Sequence, residues 1–361
     1  MGGRAWLALA LAVASVGLGT TESAAPAPAP GSVTVHTTRW GGLQMNVARV
    51  SAGARFVVRP AQANGSVTAL RPVARICGQC VVGINADFFD QRTSEPIGGV
   101  IINRVVLRSP NTRQNQLGFR PNGRIWVGTM LWRGQLSSGG VTVPVAVNNP
   151  DAASPVLYDR RFATTTPPGD GIELAFVLNP SALYLGMKIH LGPKGPHAPG
   201  SVIPTGQVVL RARGAFVPRV RKLQAQLRKG RPARLTLATY PMIKNSLGAN
   251  HVLLRGGRIL PIDENDDFVN GGHPRTIFGW DKQGRLTLVT IGSATPGRRG
   301  GVSLPAAARL MQNLGVIGAV NLDGGGSSTF VDHGRVFNHP SDGAARAVTN
   351  AWLVFPRARP R

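Results

Sequence analysis

Residues 321–330 constrain the fold of this chain most, because they join an apolar run to a carboxylate, three glycines and three hydroxyls. Residues 316–322 have the length and composition of a buried strand, and the glycines end it and allow positive φ. Asp323 would then lie at the end of that strand. The amides that follow it, with the serine and threonine hydroxyls, could form a concave site that holds phosphate without a lysine. The alternative is a tight glycine turn whose aspartate caps its own backbone.

A second stretch, residues 81–90, has the same outline. An apolar, strand-sized run ends in Asn85 and Asp87, next to two phenylalanines. Alternation along a strand would place Asn85 and Asp87 on one face. The alternative is that both side chains only serve a turn.

The N-terminus has the order of a secretory signal. Arg4 precedes an apolar run that is too short to span a bilayer comfortably, and small residues follow it. We predict a signal peptide over 1–25, a Pro/Ala spacer with an N-terminal β segment over 26–80, and one main domain over 81–361. No later stretch is apolar enough for a membrane span, so the expected location is secreted or associated with the cell wall.

The two cysteines, Cys77 and Cys80, lie three positions apart. A second pair of metal ligands is absent and the context is that of an exported protein, so a small local disulfide is expected.

The net charge of +25 favours polyanionic partners, because such a surface attracts them over long range. An anionic wall polymer or a phosphorylated glycan fits this charge, and the alternative is an arginine-rich surface without a specific partner. Specific nucleic-acid binding is not expected, because aromatic residues do not interleave with the basic ones.

Strand-sized segments dominate the chain and regular βαβ alternation is absent. We therefore predict an α+β fold of mixed β-sheets with few helices. One helix should begin at Ser303 as N-cap and end before Gly315, with Leu310, Met311 and Leu314 inward. Another should lie within 211–234. Residues 191–200, rich in glycine and proline, predict a loop, with His190 and His197 as ordinary loop residues.

Five ordered motifs resemble the phosphodiester glycosidase family. They are residues 83–89 followed by 96–98, residues 253–258, residues 273–276, the helix over 304–315, and residues 321–329. Residues 338–350 are similar to the closing segment of that family.

The resemblance implies hydrolysis of a sugar-1-phosphodiester, which releases the sugar and leaves a phosphomonoester. Such a reaction needs donors around the phosphate and a carboxylate at the anomeric carbon. We assign the catalytic carboxylates to Asp323 and Asp87, supported by Glu95. The expected substrate-binding residues are Asn85, His273, Arg275, Gly324, Gly325, Gly326, Ser327, Ser328 and Arg346. No cofactor is expected, and the sequence leaves open whether a metal takes part and what the oligomeric state is.

One departure bears on activity. Family members often carry Asp-Gly-Arg where this chain has Gly292, Ser293 and Ala294. Arg298 or Arg299 could substitute, or the substrate differs, or catalysis is lost. The second hypothesis is therefore a secreted, non-catalytic binder of anionic wall polymer on the same fold.

Overall fold

The fold is described from a computed structural model, over residues 31–51, 55–179, 181–262 and 266–357. The predicted signal peptide (1–25) and residues 26–30 of the spacer lie outside this part of the chain. So do residues 263–265 of an acidic stretch.

Within the described residues, strands outnumber helices by far. The helices are α1 (Val73–Cys77), α2 (Val217–Arg228), α3 (Asp267–Asn270) and α4 (Leu304–Asn313). The strands are β1 (Val33–Trp40), β2 (Leu43–Val50), β3 (Phe56–Gln62), β4 (Arg71–Pro72), β5 (Val82–Asn85), β6 (Val100–Ile102), β7 (Val105–Arg108), β8 (Asn115–Phe119), β9 (Ile125–Thr129), β10 (Leu131–Ser138), β11 (Val141–Pro144), β12 (Ala146–Val147), β13 (Val156–Tyr158), β14 (Ile172–Asn179), β15 (Lys188–His197), β16 (Gln207–Ala212), β17 (Ala233–Tyr240), β18 (Asn245–Ala249), β19 (Val252–Arg255), β20 (Arg258–Ile259), β21 (Arg275–Trp280), β22 (Leu286–Ser293), β23 (Gly318–Asn321), β24 (Phe330–Asp332), β25 (Arg335–Val336), β26 (Ala347–Val348) and β27 (Asn350–Pro356). This confirms the predicted α+β class of mixed sheets with few helices.

Four larger sheets organise these strands. Sheet I has seven strands in the order β1-β2-β22-β21-β23-β19-β20, and sheet II has five in the order β25-β24-β5-β27-β3. Sheet III has eight strands, β11-β10-β17-β15-β14-β16-β13-β12, and sheet IV has five, β7-β6-β18-β8-β9. Strands β4 and β26 form a small separate pair. The parallel pair β12–β13 in sheet III makes the system mixed.

The central strands of sheet I are buried on both faces. Its inner face carries Phe278, whose ring lies 5.5 Å from that of Trp352 on sheet II, and both belong to one buried cluster. Its outer face carries Ile277, which packs with α4 in another cluster. Successive side chains of a strand point to opposite faces, so each residue of sheet I can be assigned to the inner or the outer face.

Helix α4 begins and ends close to its predicted bounds. The Ser303 hydroxyl accepts a hydrogen bond from the Ala306 amide at 3.2 Å, which confirms it as the N-cap. Met311 is buried as expected, together with Leu304, Ala307 and Ala308. Leu310 and Leu314, also predicted inward, are only half-buried at the edge of this stripe.

The predicted loop over 191–200 was wrong for most of its length. Residues up to His197 belong to β15, which pairs with β14 from His190 to His197 but with β17 only from Lys188 to Leu191. Beyond Leu191 the strand is therefore an edge, where a proline that lacks an N–H is tolerated. His197 is not an ordinary loop residue either, because its Nδ1 lies 2.7 Å from the buried Glu173 carboxylate.

The described part of 26–80 shares sheets with the rest of the chain. Strands β1 and β2 join sheet I through β22, and β3 joins sheet II through β27. The domain boundary at residue 80 stays a prediction. The local disulfide between Cys77 and Cys80 is confirmed. None of the helices described is both long and apolar enough to cross a bilayer.

Candidate active site

Asp87 and Asp323 meet where two neighbouring sheets end. Asp323 lies two residues after β23 of sheet I, and Asp87 lies two residues after β5 of sheet II. The backbones are joined directly, because the Asp323 amide donates to the Ala86 carbonyl at 2.8 Å. The two predicted carboxylates, which are 236 residues apart in sequence, therefore belong to one site.

Asn85 holds this junction together from a fully buried position. Its Nδ2 donates to the Asp323 carbonyl at 2.7 Å. Its Oδ1 accepts from the Thr276 hydroxyl at 2.8 Å and from the Thr329 amide at 3.0 Å. An amide side chain donates and accepts at the same time, so the structure gives Asn85 a positioning role between β5, β21 and the glycine loop.

Asp87 occupies a closed, buried space. Its side chain is 1% exposed, and its Oδ2 accepts from the Gly98 amide at 3.0 Å. Its backbone amide is fixed by the Oδ1 of Asn350 at 2.9 Å. Burial raises the pKa of Asp87 to about 7, although the Gly98 amide and the Arg108 charge lower it.

Two polar atoms beside Asp87 have no hydrogen-bond partner within the described ranges. They are Asp87 Oδ1 and Gln116 Nε2, and both are buried. A Cβ on Gly98 would lie 2.8 Å from Asp87 Oδ2 and 2.9 Å from Gln116 Nε2, so these groups surround one small volume. The same Cβ would overlap Gly248 Cα, so this space is closely packed, although buried polar groups are nearly always satisfied.

Asp323 has a milder environment. It is partly exposed, and burial raises its pKa to about 6, while the Ser327 hydroxyl, the Gly324 amide and the Arg346 charge lower it. Arg346 is held by Asp342, with Nε to Oδ2 at 2.8 Å. This ion pair lies directly over Gly326, where any side chain would overlap it.

The glycine loop forms a single 3₁₀ turn over Gly325–Ser327. Gly325 has φ +58°, a conformation that favours glycine. The amides of Gly325, Ser327 and Ser328 donate to the carbonyls of Pro274, Gly324 and Gly325 at 2.9, 3.1 and 3.1 Å. These amides, predicted as part of a phosphate cradle, thus have acceptors within the protein.

Arg275 lies on the outer face of sheet I, opposite Thr276. Its fully buried guanidinium donates to the carbonyls of Val302, Phe268 and Gly271 at 2.9, 2.6 and 3.1 Å. Burial lowers the pKa of Arg275 to about 10. The predicted substrate contact of Arg275 stays a prediction, and this geometry gives the side chain a structural role as well.

His273 precedes β21 and is 42% exposed, with its Nε2 4.0 Å from the Asp267 carboxylate. Among the described residues, neither His273 nor Arg275 forms a hydrogen bond with Asp87 or Asp323. Glu95 contacts the site indirectly, because it pairs at 2.7 Å with Arg108, whose charge acts on Asp87.

The sequence interpretation missed several residues of this site. Thr276 donates to the Asn85 side chain, Asn350 accepts from the Asp87 amide, the Gln116 side chain lies close to Gly98, and Gly98 and Gly248 leave room for the Asp87 carboxylate. The signal available was a lone polar residue or glycine within an apolar strand. No group of three or more His, Cys, Asp or Glu side chains in the described ranges is arranged to hold a metal ion.

Comparison with known proteins agrees with the sequence motifs. Residues 191–355 match the phosphodiester glycosidase family. The resemblance drawn from the motifs is thereby confirmed. N-acetylglucosamine-1-phosphodiester alpha-N-acetylglucosaminidase of Bos taurus is 41% identical over 85 residues, which are 24% of this chain and 15% of that enzyme.

Two solved structures are similar in fold. A hypothetical protein from Synechocystis has a TM-score of 0.69 at 21% identity, covering 90% of this chain and 62% of that chain. A Burkholderia pseudomallei structure described as an exported protein has a TM-score of 0.62 at 18% identity, covering 87% of this chain and 74% of that chain. At such identities the likeness establishes the fold alone.

The match to the phosphodiester glycosidase family reaches only one of the two carboxylates. Asp323, the glycine loop and Arg346 lie within residues 191–355, whereas Asn85 and Asp87 lie upstream of them. The fold therefore supplies the second half of this site from outside the matched residues.

Proposed function

We propose that this protein is an exported hydrolase that cleaves sugar-1-phosphodiesters, releasing the sugar and leaving a phosphomonoester on the other alcohol. The family match supports the reaction class, and the secretory pattern of residues 1–25 supports export. The expected substrate is a phosphorylated glycan or an anionic wall polymer, in keeping with the net charge of +25.

The observation that carries this proposal is that Asp323 and Asp87 meet at the junction of sheets I and II, where the Asp323 amide donates to the Ala86 carbonyl at 2.8 Å. Burial raises the pKa of both carboxyls, to about 6 for Asp323 and about 7 for Asp87. Glycosidases use two carboxyl groups in different roles. Asp323 would stabilise or attack the anomeric carbon as the C1–O bond breaks, and Asp87 would take the proton of the water that completes hydrolysis.

The departing group is a phosphomonoester, which leaves easily once its charge is held. Arg346 is the cation next to Asp323, and the hydroxyls of Ser327 and Ser328 lie on the same turn. The amides of Gly325, Ser327 and Ser328 donate to carbonyls within the protein, so we assign the phosphate contacts to Arg346 and the two hydroxyls.

A second candidate function is a non-catalytic binder of anionic polymer, and the glycine at position 292 favours it. Gly292 pairs with Gln44 on the inner face of sheet I, the face that carries Thr276. Phosphodiester glycosidases often carry an aspartate where this chain has Gly292, so that carboxylate is missing here. Arg298 and Arg299 are exposed, and they remain candidates for the missing guanidinium.

A panel of sugar-1-phosphodiesters tests this function directly, with release of free sugar and phosphomonoester as the readout. Asp323→Ala and Asp87→Asn should each lower kcat by orders of magnitude with a melting temperature within a few degrees of wild type. Asp170→Asn, whose side chain is 91% exposed, is the matched control and should be fully active.

Product from wild type and control alone would support the hydrolase. Retained activity per folded molecule in Asp323→Ala would reduce Asp323 to a turn residue. Absence of product on every substrate, with salt-sensitive polymer binding intact, would instead favour the non-catalytic binder.

A further inference from the structure

An open cavity lies at the rim of sheets I and II. It has a volume of about 550 Å³ and is lined by Thr37, Arg39, Gln44, Phe337 and His339. We call it the rim cavity. Its lining combines two basic side chains, an aromatic ring that is 43% exposed, a hydroxyl and an amide.

Gln44 is a built feature of this cavity. Its side chain is 4% exposed, and its Nε2 donates to Asn46 Oδ1 at 2.9 Å and to the Phe337 carbonyl at 3.3 Å. Its Oε1 is buried and has no partner in the part of the chain that the structure describes. An orphaned buried acceptor is costly unless a ligand or water satisfies it.

A row of polar side chains connects Gln44 to the carboxylates. Asn46 accepts from Gln44 and donates to the Thr290 hydroxyl at 3.2 Å. Thr290 pairs with Thr276 across β21 and β22, and Thr276 donates to Asn85. These residues share the inner face of sheet I, so the rim cavity and the carboxylate pair are two ends of one polar surface inside an otherwise apolar interface.

The segment from Phe337 to Arg346 borders both places. At one end Asn338 donates to the Ser328 carbonyl at 2.9 Å and accepts from the Phe330 amide at 2.7 Å. At the other end the Asp342–Arg346 pair covers Gly326. Phe337 and Asp342 are five residues apart, so their Cα atoms are separated by at most about 18 Å. A ligand of two or three sugar-sized units spans that distance.

We propose that the rim cavity binds the alcohol side of the substrate, and that this side is a polyhydroxylated unit carrying a further phosphate, as in a chain of polyol phosphates. The inference rests on the proposed hydrolase function for the position of the cleaved bond. Arg39 and His339 suit the additional phosphate, and Phe337 offers a face to the carbon skeleton. Gln44 Oε1 and Thr37 suit hydroxyl groups.

The test uses two variants in the cavity and two matched controls on the neighbouring strand β25. Arg39→Gln and Phe337→Ala remove a charge and a ring from the cavity. The controls, Arg335→Gln and Val336→Ala, remove a charge and an apolar side chain at exposed positions that do not line the rim cavity. The melting temperature of each variant checks that it is folded.

Binding of a glycerol phosphate trimer is measured by calorimetry, which needs no turnover. Turnover is then compared on one sugar-1-phosphate esterified either with methanol or with the same trimer. Both cavity variants should weaken trimer binding and raise KM for the trimer ester by about tenfold. Neither should change kcat/KM for the methyl ester, and both controls should match wild type.

The outcomes separate the cavity from the reaction. If wild type cleaves neither ester but trimer binding follows the expected pattern, the hydrolase proposal fails and the rim cavity assignment stands. Trimer binding that is equal in wild type and both cavity variants overturns the assignment, whatever the turnover. So does an Arg335→Gln variant that is weakened as much as Arg39→Gln, because charge alone would then explain binding.

Discussion

Replacing Gly248 by alanine should disturb Asp87 specifically. Gly248 lies on β18, and a Cβ at this position would overlap the Asp87 carboxylate, whose three terminal atoms are its nearest neighbours. The carboxylate has little room to move, because the Gly98 amide holds its Oδ2 at 3.0 Å. Inserting a methyl group into such a closed space costs about 1–3 kcal/mol. A shift of about 1 Å in a catalytic group lowers turnover by about 10²-fold.

Urea denaturation of four proteins measures the effect: wild type, Gly248→Ala, Asp87→Ala and the double variant. Once the carboxylate is absent, Gly248→Ala should cost less than about 1 kcal/mol. The double-mutant cycle should therefore yield a coupling energy between Gly248→Ala and the Asp87 carboxylate that accounts for most of the cost of Gly248→Ala in wild type. Gly192→Ala on β15 is the control, because its Cβ would meet only Val177, at 3.4 Å. An equal cost of Gly248→Ala with and without the Asp87 carboxylate would refute the proposed overlap.

Three further predictions concern charge. Burial holds the pKa of Asp87 at about 7 against an ordinary 3.8, so the folded protein keeps a proton that the unfolded chain releases between these values. The free energy of unfolding should therefore fall as pH rises from about 4 to about 7. Urea melts of Asp87→Asn should show a shallower slope, because Asp323, whose pKa burial raises to about 6, still contributes to it; a slope parallel to that of wild type would contradict this. The charge of Arg346 lowers the pKa of Asp323. Arg346→Gln should therefore move the acidic limb of the profile of kcat/KM against pH to higher pH. An acidic limb that does not move would show that Arg346 does not act on Asp323 in the site. Arg275→Ala should reduce the free energy of unfolding by roughly 2–4 kcal/mol, because three carbonyls lose their donor; full stability with weakened substrate binding would make it a substrate residue.

Local patterns predicted much of the fold because they depend on neighbouring residues. The Ser303 cap and the disulfide between Cys77 and Cys80 follow from short-range chemistry, and both are present. Strand β15 was missed because its prolines are tolerated only where the strand has no hydrogen-bonded neighbour on one side. That property belongs to the sheet order and cannot be read from a local window.

The candidate site divides in the same way. Asp87 and Asp323 were predicted because each follows an apolar run, and the structure joins the two segments through Asn85. Gln116 and Gly248 were not predicted, since they come close to Asp87 only when sheet IV packs against it. The predicted substrate contact of Arg275 stays a prediction, and strand alternation places Arg275 on the outer face of sheet I and Thr276 on the inner face.

The pairing of early with late strands has a consequence for synthesis of the protein. Strand β2 pairs with β22, and β3 pairs with β27, whose last residue is Pro356. Both sheets that carry the carboxylates thus stay incomplete until nearly the whole described chain has emerged from the ribosome. Contacts between such distant segments form slowly and leave unpaired strand edges exposed in the meantime. Aggregation during production should therefore increase with the time between synthesis of the early strands and synthesis of β27. A fragment that ends before residue 350 should not form the site at all.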